Sequence, residues 1–289
     1  MTLASPVLLA VLCLVASGLL DLVFKLYAAK PRSRGMLIFG IGCVWIVLQG
    51  SSMSFGEGSF DFATVTLGYG LAAAIFVTVS NILLLECLTH LPISMASTIY
   101  RLNTIPLVIL AFFVLDESLG GFKLAGIIAG ITTVFLLYRP DRESGKHDAH
   151  FVLFLSLIIV ASIIRALYGI TTKAGVDAGG DPDTMMLLAA FGWCFGGLAY
   201  AHFRERRVVI TREKLVFIGI AGALVFAIVW LLTTALTLGD ASVVVPLANM
   251  GFVAAFLFSV LLRLERLDAR KLGAVALAVT AVILLSQAA

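Results

Sequence analysis

The fold is decided by a stretch at residues 92–138, which reads PISMASTIYRLNTIPLVILAFFVLDESLGGFKLAGIIAGITTVFLLY. It consists of two apolar runs, 92–115 and 120–138, separated by one short acidic turn. Each run is long enough for a helix that crosses a bilayer, which takes about 20 mostly apolar residues. The runs are continuously apolar and do not alternate with a period of two, so they predict membrane helices and not barrel strands.

The same pattern fills the chain. Hydrophobic residues make up 61% of the 289 residues and charged residues 13%, against roughly 45–50% and about 25% in soluble domains. Lipid must therefore solvate much of the surface. The eight further runs lie near 6–27, 35–53, 63–88, 151–172, 183–203, 214–238, 241–262 and 270–287. We predict an all-α membrane protein with ten transmembrane helices. The first run is expected to be a retained span and not a signal peptide, because no basic segment precedes it.

Sliding the sequence on itself by 148 residues aligns unusual residues without a gap. The matches are Lys25 with Lys173, Trp45 with Trp193, Ser94 with Ser242, Glu117 with Glu265 and Lys123 with Lys271. Charged residues and tryptophans are rare in this chain, so matches at one constant offset indicate a duplication. We predict a first five-helix repeat at 1–138, a cytoplasmic linker at 139–150 and a second five-helix repeat at 151–289.

The loop charges predict that the two repeats are inverted. An odd number of spans makes the second copy enter the membrane from the opposite side. The loop after the first span is basic, whereas its counterpart at 174–183 is acidic, and the acidic turn at 116–117 corresponds to a basic loop at 263–271. Basic loops favour the cytoplasm, and all of them are odd-numbered. We therefore expect inverted repeats with both termini outside, in a bacterial inner (plasma) membrane.

The turn between the fourth and fifth runs carries a family resemblance. It reads Leu115-Asp116-Glu117-Ser118-Leu119, then Lys123-Leu124-Ala125-Gly126, and the second half has Leu264-Glu265-Arg266-Leu267 and Lys271-Leu272-Gly273. This resembles the EamA-type repeat of the drug/metabolite transporter superfamily, with the departure that Ala254 replaces Pro106. The resemblance implies a secondary transporter that works by alternating access around a central cavity, and it does not identify the substrate.

Arg101 is the leading candidate for substrate binding. A charged side chain near the bilayer centre costs about 2.5–3.5 kcal/mol on insertion scales, so it needs a partner or a function. Arg101 lies about ten residues into the fourth run, and Pro106 predicts a bend beside it. Interrupted helices often mark transporter sites. We predict that Arg101 binds an anionic group; the alternative is a structural ion pair with Glu86 or Asp21.

Other candidates for substrate binding share predicted positions inside the spans: Tyr100, Asn103, Asn249, Arg165, Tyr168, Asn81 and Trp230. Asn249 is the counterpart of Arg101, and its amide either binds substrate or packs between helices. Arg165 and Tyr168 share a helix face, and Arg165 either lines the outer entrance or extends to the interface. Since Arg101 and Arg165 have no clearly matching deep acids, an anionic or zwitterionic substrate is expected.

Three charged residues, Asp21, Lys25 and Glu86, fall in the predicted cytoplasmic half and are candidates for coupling or gating. Asp21 and Lys25 are four residues apart and can pair. One interpretation is a buried ion network that closes the inner side. The other is a proton-coupling carboxylate, for which Glu86 is the best candidate.

Other classes of function find little support. The sequence contains no HExxH or GxSxG motif, and no histidine lies deep in a span, so no enzyme is expected. The cysteines lie in apolar runs without a CxxC pair, which predicts packing groups and neither a disulfide nor a metal site. No cofactor and no nucleic acid partner are expected.

The predicted function is therefore secondary transport of a small polar, anionic or zwitterionic metabolite. A flippase for lipids with anionic headgroups is the alternative on the same fold. Gly126 and Gly130 form a G-x-x-x-G pattern, which permits close helix packing either inside the chain or in a homodimer.

Overall fold

The described part of the chain is helical. The computed structural model describes residues 5–28, 32–55, 60–87, 90–91, 96, 99–137, 149–206, 211–261 and 269–287, and no strand occurs in these ranges. In chain order the helices are α1 Pro6–Ala28, α2 Arg34–Phe55, α3 Thr64–Cys87, α4 Thr104–Val114, α5 Gly121–Leu137, α6 Ala149–Asp177, α7 Pro182–Tyr200, α8 Arg212–Leu238, α9 Ala241–Asn249, α10 Gly251–Leu261 and α11 Ala269–Ser286. A single π-helical turn, Ala201–Glu205, extends α7.

Length and composition identify these helices as membrane segments. Six are long and apolar enough to cross a bilayer: Pro6–Phe24, Arg34–Phe55, Thr64–Cys87, Phe151–Asp177, Pro182–Glu205 and Arg212–Leu238. Four shorter apolar segments, Ile99–Val114, Gly121–Leu136, Ala241–Ala255 and Leu272–Leu285, fall on the other predicted runs. Large apolar side chains such as Phe113, Ile128 and Phe195 are exposed, and lipid is the solvent that accepts them. The protein is an all-helical, multi-pass membrane protein.

Helices α2 and α7 pack antiparallel at close range. Gly35, near the start of α2, faces the backbone of Ala201 just beyond the end of α7. Further along, Gly42 faces the backbone of Cys194. A glycine at each crossing lets the two backbones approach more closely than a side chain would allow.

Two tryptophans at the 148-residue offset meet in this helix pair. The ring centroids of Trp45 and Trp193 are 6.2 Å apart in an edge-to-face arrangement. Such ring pairs stabilise by about 0.5–1.5 kcal/mol beyond their burial. The Sγ atoms of Cys43 and Cys194 lie 3.7 Å apart beside them. The match seen in the sequence is therefore a direct contact in the fold.

Three further helix pairs are packed closely. α5 packs on α11, where Gly126 faces Leu285. α1 packs along α8, where the Cys13 thiol lies 3.5 Å from the Ile228 carbonyl, and α3 packs along α6. Gly126 therefore serves helix packing inside the chain.

The starts of α2 and α7 are capped by residues that are 148 positions apart. The Met36 N–H donates to Ser33 Oγ at 3.1 Å. The Thr184 N–H donates to Asp181 Oδ2 at 2.7 Å. Each bond satisfies one of the amide groups that a helix start leaves without a backbone partner.

The loop before α3 is tied to the start of α7. The Asp61 N–H donates to Thr184 Oγ1 at 3.0 Å, and the Asp181 N–H donates to Thr66 Oγ1 at 3.0 Å. Hydrogen bonds from the Thr66 hydroxyl and the Ala63 N–H lower the pKa of Asp61. These bonds hold the two loops together at one end of the helices.

Replacing Gly42 with alanine is expected to lower stability because the added Cβ would lie 2.5 Å from the Cys194 nitrogen and 2.8 Å from its Cα. Backbone must then shift, at a cost of about 1–3 kcal/mol. Gly50 on the same helix is the matched control: nothing lies within 4 Å of its added Cβ, and alanine favours the helix by about 1 kcal/mol. Thermal unfolding midpoints in detergent measure both changes. Equal midpoints for the two variants would contradict this close packing.

Candidate functional site

Two predicted spans are interrupted at equivalent points. The fourth run is helical at 99–101, turns at Leu102 and Asn103, and continues as α4. The ninth run breaks at Met250, between α9 and α10, 148 residues after Leu102. Pro106 has no N–H to donate to the Leu102 carbonyl, which accepts from the Ile105 N–H at 3.0 Å instead. The bend predicted from Pro106 is therefore an interruption of the helix.

Arg101 joins three parts of the chain at these breaks. Its Nη2 forms an ion pair with Asp21 Oδ2 on α1. Its Nη1 donates to the Asn249 carbonyl at 3.3 Å, and its Cζ lies 5.1 Å from the centroid of the Phe252 ring. Of the two carboxylates considered as partners, the structure selects Asp21 and not Glu86. The expectation that this deep arginine has no matching acid is wrong, because Asp21 pairs with it.

Asn249 bonds directly to the other interrupted span. Its Nδ2 donates to Asn103 Oδ1 at 2.7 Å and to Thr104 Oγ1 at 3.3 Å. Asn103 Nδ2 in turn donates to the Tyr100 carbonyl at 2.9 Å. The two breaks are therefore connected through amides, which are also groups that can bind a polar solute.

A cavity of about 40 Å³ lies beside these amides. Its polar lining is Ser17, Asn103, Arg165, Tyr168 and Asn249. Its remaining lining is Cys13, Gly169, Ile228, Leu232, Val245 and Ala248. Since one water needs about 10–15 Å³ of such space, the cavity has room for a few waters but not for a metabolite.

A second, smaller cavity of about 20 Å³ has Arg101 in its lining. Asn249 lines both cavities, the one with Arg101 and the one with Arg165. The two cavities gather four of the predicted substrate-binding residues with Arg101. In the described ranges, no group of three or more histidine, cysteine, aspartate or glutamate side chains is arranged to hold a metal ion.

Arg165 differs from Arg101 in its partners. Its Cζ lies 4.9 Å from the centroid of the Tyr168 ring, and Tyr168 is buried. The ion pairs formed within the described ranges do not include Arg165. Between the two positions considered from the sequence, Arg165 lines an internal cavity. It brings a positive charge there without a carboxylate from the described residues.

Three predicted residues do not line either cavity. The Tyr100 hydroxyl donates to Ser80 Oγ at 3.3 Å, and Asn81 Nδ2 donates to the Val77 carbonyl of its own helix at 2.7 Å. Trp230 is 42% exposed on α8. The rotation of α3 and α8 turns Asn81 and Trp230 away from the centre.

Glu86 lies at the end of α3 and binds the end of the seventh span. Its Oε1 accepts from Arg204 Nε at 2.8 Å and Nη2 at 2.6 Å, and its Oε2 accepts from the Tyr200 hydroxyl at 2.9 Å. Lys25 belongs to α1, but its side chain lies outside the described part of the structure. Glu86 is therefore far from being an isolated carboxylate.

A buried cluster that was not predicted as a site lies where α4 leads into α5. The Glu117 carboxylate accepts from the N–H groups of Ala241 at 2.7 Å and Ser242 at 2.9 Å, and from the Ser242 hydroxyl. Lys123 pairs with Asp240 at 2.8 Å. Glu117, Lys123 and Ser242 all belong to the matches at the 148-residue offset, so that offset was the signal that could have identified this cluster.

A second carboxylate performs the same task at another helix start. Glu205 accepts from the N–H groups of Arg34 at 2.8 Å and Gly35 at 3.3 Å, and from the Ser33 hydroxyl. Glu117 caps α9 and Glu205 caps α2, so each acts on a helix start more than 100 residues away in sequence. Carboxylates are favourable there because a helix start carries partial positive charge.

Comparisons with known proteins concern the fold and the family. Residues 152–287 match the EamA-like transporter family. A curated relative from Clostridium kluyveri, named an uncharacterized transporter, is 22% identical over 152 residues, which is 52% of this chain and 49% of the relative. The chain therefore spans about half the length of that relative. A crystal structure described only as that of a protein covers 97% of both chains with a TM-score of 0.79 at 15% identity, and it shares the fold.

The helices and the family match together define a membrane protein whose second half matches the EamA-like transporter family. The match of the second half and the transporter name of the relative support the resemblance to the drug/metabolite transporter superfamily that the sequence shows.

Proposed function

We propose that this protein is a secondary active transporter, which carries a small polar metabolite, anionic or zwitterionic, by alternating access. The observation that carries the proposal is the half-buried Arg165 on a cavity wall, with no acidic partner among the described residues. An unpaired charge inside a membrane protein is costly, and an anionic group of a solute would offset that cost. Asn103 and Asn249 add amides for hydrogen bonds beside it.

The proposed architecture is ten spans in two inverted repeats, 1–138 and 151–289, joined by a cytoplasmic linker at 139–150. Two helices pack on their own counterparts at the 148-residue offset, α2 on α7 and α5 on α11. Two other pairs exchange partners. Helix α1 packs on α8, which is the counterpart of α3, and α3 packs on α6, which is the counterpart of α1. A two-fold axis in the membrane plane would produce this pattern, which supports the proposal.

The proposed orientation has odd-numbered loops in the cytoplasm and both termini outside, in a bacterial inner membrane. Contacts between loops support one part of it. Glu205, after the seventh span, binds Ser33, before the second. Glu117, after the fourth span, binds Ser242, at the start of the ninth. Odd loops contact odd loops and even loops contact even loops, and the odd ones carry the basic residues that favour the cytoplasm.

Alternating access requires contacts that close each side in turn. On the proposed outer side, Glu117 and Lys123 bind the start of α9. On the proposed inner side, Glu86 binds Arg204 and Tyr200. Both sets of contacts are made in this conformation. We propose that substrate enters when one set breaks, and that Asp21 and Lys25 belong to the inner network.

Replacing Glu86 with glutamine is expected to change the pH dependence of transport, because the inner contact would lose the charge that binds Arg204. The described groups that bind this carboxylate include Arg204 and Tyr200, and the Nδ1 of His90 lies 3.2 Å from the Glu86 backbone carbonyl. Initial uptake rates of wild type and variant over a pH series measure the effect. A profile of unchanged shape would remove Glu86 from gating and coupling.

Uptake into proteoliposomes tests the proposed function against its alternative. Purified protein in liposomes is expected to accumulate radiolabelled solutes chosen by a thermal-shift screen of anionic and zwitterionic metabolites. The same vesicles with a fluorescent phosphatidylserine test lipid movement. Redistribution of that lipid without uptake of any screened solute would favour the flippase, and protein-free liposomes provide the baseline.

The proposal is for a transporter and not an enzyme, in keeping with the EamA-like domain. A homodimer is a further proposal. Gly126 is covered by Leu285 within the chain and Gly130 lines the cavity beside Arg101, so neither of these glycines supports that contact.

A further inference from the structure

The two arginines at the centre are electrically unequal. Arg101 is neutralised by Asp21, and the side chains of this pair are 24% and 35% exposed. Arg165 has only the face of Tyr168 among its described contacts. Within the linings of the two cavities, Arg101 and Arg165 are the only charged residues described. With Asp21 included, the described charges at the centre sum to one net positive charge.

Charges on the surrounding helices do not alter this balance within the described residues. On α6, Lys173 pairs with Asp177 at 2.8 Å, two turns beyond Arg165. On α3, Glu86 is held by Arg204. Lys25 is one turn from Asp21 on α1, and its side chain lies outside the described residues.

We infer that Asp21 determines the charge of the substrate: by neutralising Arg101 it leaves Arg165 to bind a solute with one negative charge. This rests on the proposed transport function and deepens it. One carboxylate balances the charge of Arg165. A second carboxylate would need Arg101 and would meet the like charge of Asp21 there, and such repulsion is strong where water is scarce. The substrate class is therefore the monocarboxylates.

The apolar part of the cavity fits the same class. Ile228, Leu232 and Val245 provide apolar wall in a lining that also contains the polar groups of Ser17 and Asn103. A monocarboxylate places its charge at Arg165 and its carbon chain on that wall. A dicarboxylate of the same length would place its second charge on apolar side chains, at a cost that nothing there offsets.

Charge-reversing variants test the inference. The probes are matched pairs of acids with equal carbon number, butyrate with succinate and benzoate with phthalate, at a pH that ionises every carboxyl group. Wild type is expected to prefer the monoanions in thermal-shift titrations and in uptake by proteoliposomes. Asp21→Asn is expected to shift the ratio of dianion to monoanion affinity by roughly tenfold or more toward the dianions.

The double variant Asp21→Asn with Arg101→Gln restores the single positive charge and is expected to restore the preference for monoanions. This restoration would not follow if Asp21 served only to stabilise the fold. The double variant therefore still tests the inference if Asp21→Asn alone folds poorly. Asp177→Asn is the matched control, because it removes an ion-paired carboxylate that lines neither cavity, and it should keep the wild-type ratio.

Two results would overturn the inference, and they are distinct. If wild type binds and takes up monoanions but Asp21→Asn and the double variant keep the same ratio, Asp21 does not determine substrate charge. If wild type binds and takes up no member of either pair, the proposed function fails for carboxylates, and the inference fails with it.

Discussion

Replacing Arg165 with glutamine is expected to abolish uptake of the anionic substrate without loss of stability. Removing one partner of a desolvated charge pair costs about 2–5 kcal/mol in binding, roughly 30-fold to several-thousand-fold in affinity. The folded protein gives up only the contact of the guanidinium with the Tyr168 ring. Relief of an unpaired, half-buried charge offsets that loss, so the unfolding midpoint should stay the same or rise.

Two variants make this result specific. Arg165→Lys keeps the charge and is expected to retain part of the uptake. Arg101→Gln breaks the ion pair with Asp21 and the bond to the Asn249 carbonyl, so it should lower stability as well as uptake. The measurements are initial uptake rates in proteoliposomes and thermal midpoints in detergent. Normal uptake by Arg165→Gln would show that this arginine binds no substrate.

Replacing Glu117 with alanine is expected to produce the largest loss of stability of any single change considered. Its buried carboxylate accepts three hydrogen bonds from Ala241 and Ser242 at the start of α9. Their removal leaves donors without a partner inside the protein, at about 1–3 kcal/mol for each unsatisfied group. The thermal midpoint of Glu117→Gln should lie between those of wild type and Glu117→Ala, because an amide oxygen still accepts hydrogen bonds but carries no charge. Thermal midpoints in detergent measure the series.

Asp116 provides the matched control for Glu117. It is the adjacent carboxylate, it is exposed, and its φ of 53° lies in the left-handed region, which asparagine tolerates. Asp116→Asn should therefore leave the midpoint almost unchanged. If the Glu117 and Asp116 variants unfolded at the same temperature, the cap on α9 would not contribute to stability.

Much of the helical architecture could be predicted from the sequence, because lipid as a solvent requires long, continuously apolar runs. Apolar runs of membrane length predict helices wherever backbone groups must be satisfied without water. The offset of 148 residues also predicted that Trp45 and Trp193 are equivalent. It did not predict that they touch, because contact between equivalent residues depends on where a symmetry axis passes, which no local pattern encodes.

The sequence predicts how far along their helices the site residues lie, but not which way their side chains face. Arg101, Arg165 and Asn249 reach the centre because polar groups at mid-membrane depth avoid lipid. Trp230 lies at a comparable depth but is exposed, because its place around the helix axis is decided by how α8 packs on α1. An aromatic ring is stable in lipid or in the core, so the residue type alone does not predict whether the side chain faces the centre or the lipid.

In the buried cluster at the start of α9, the residue at the N-cap position does not cap the helix, and a distant residue does. Asp240 precedes the ninth run and occupies the N-cap position of α9, yet its side chain makes no capping bond and pairs with Lys123 instead. Glu117 supplies the cap from the other half of the chain. A long-range carboxylate of this kind is not visible in a window of a few residues.

The meeting of Trp45 with Trp193 has an evolutionary consequence. In an undivided ancestor with one five-helix unit, a residue at this position would face its own copy, so every substitution would change both sides of the contact together. Fusion of two copies removes that constraint. Cys43 and Cys194 now lie 3.7 Å apart, whereas their counterparts are Phe191 and Ile46. Under the proposed duplication, each face of the interface can diverge separately, and a carrier built in this way can bind and release its solute with different affinities on the two sides of the membrane.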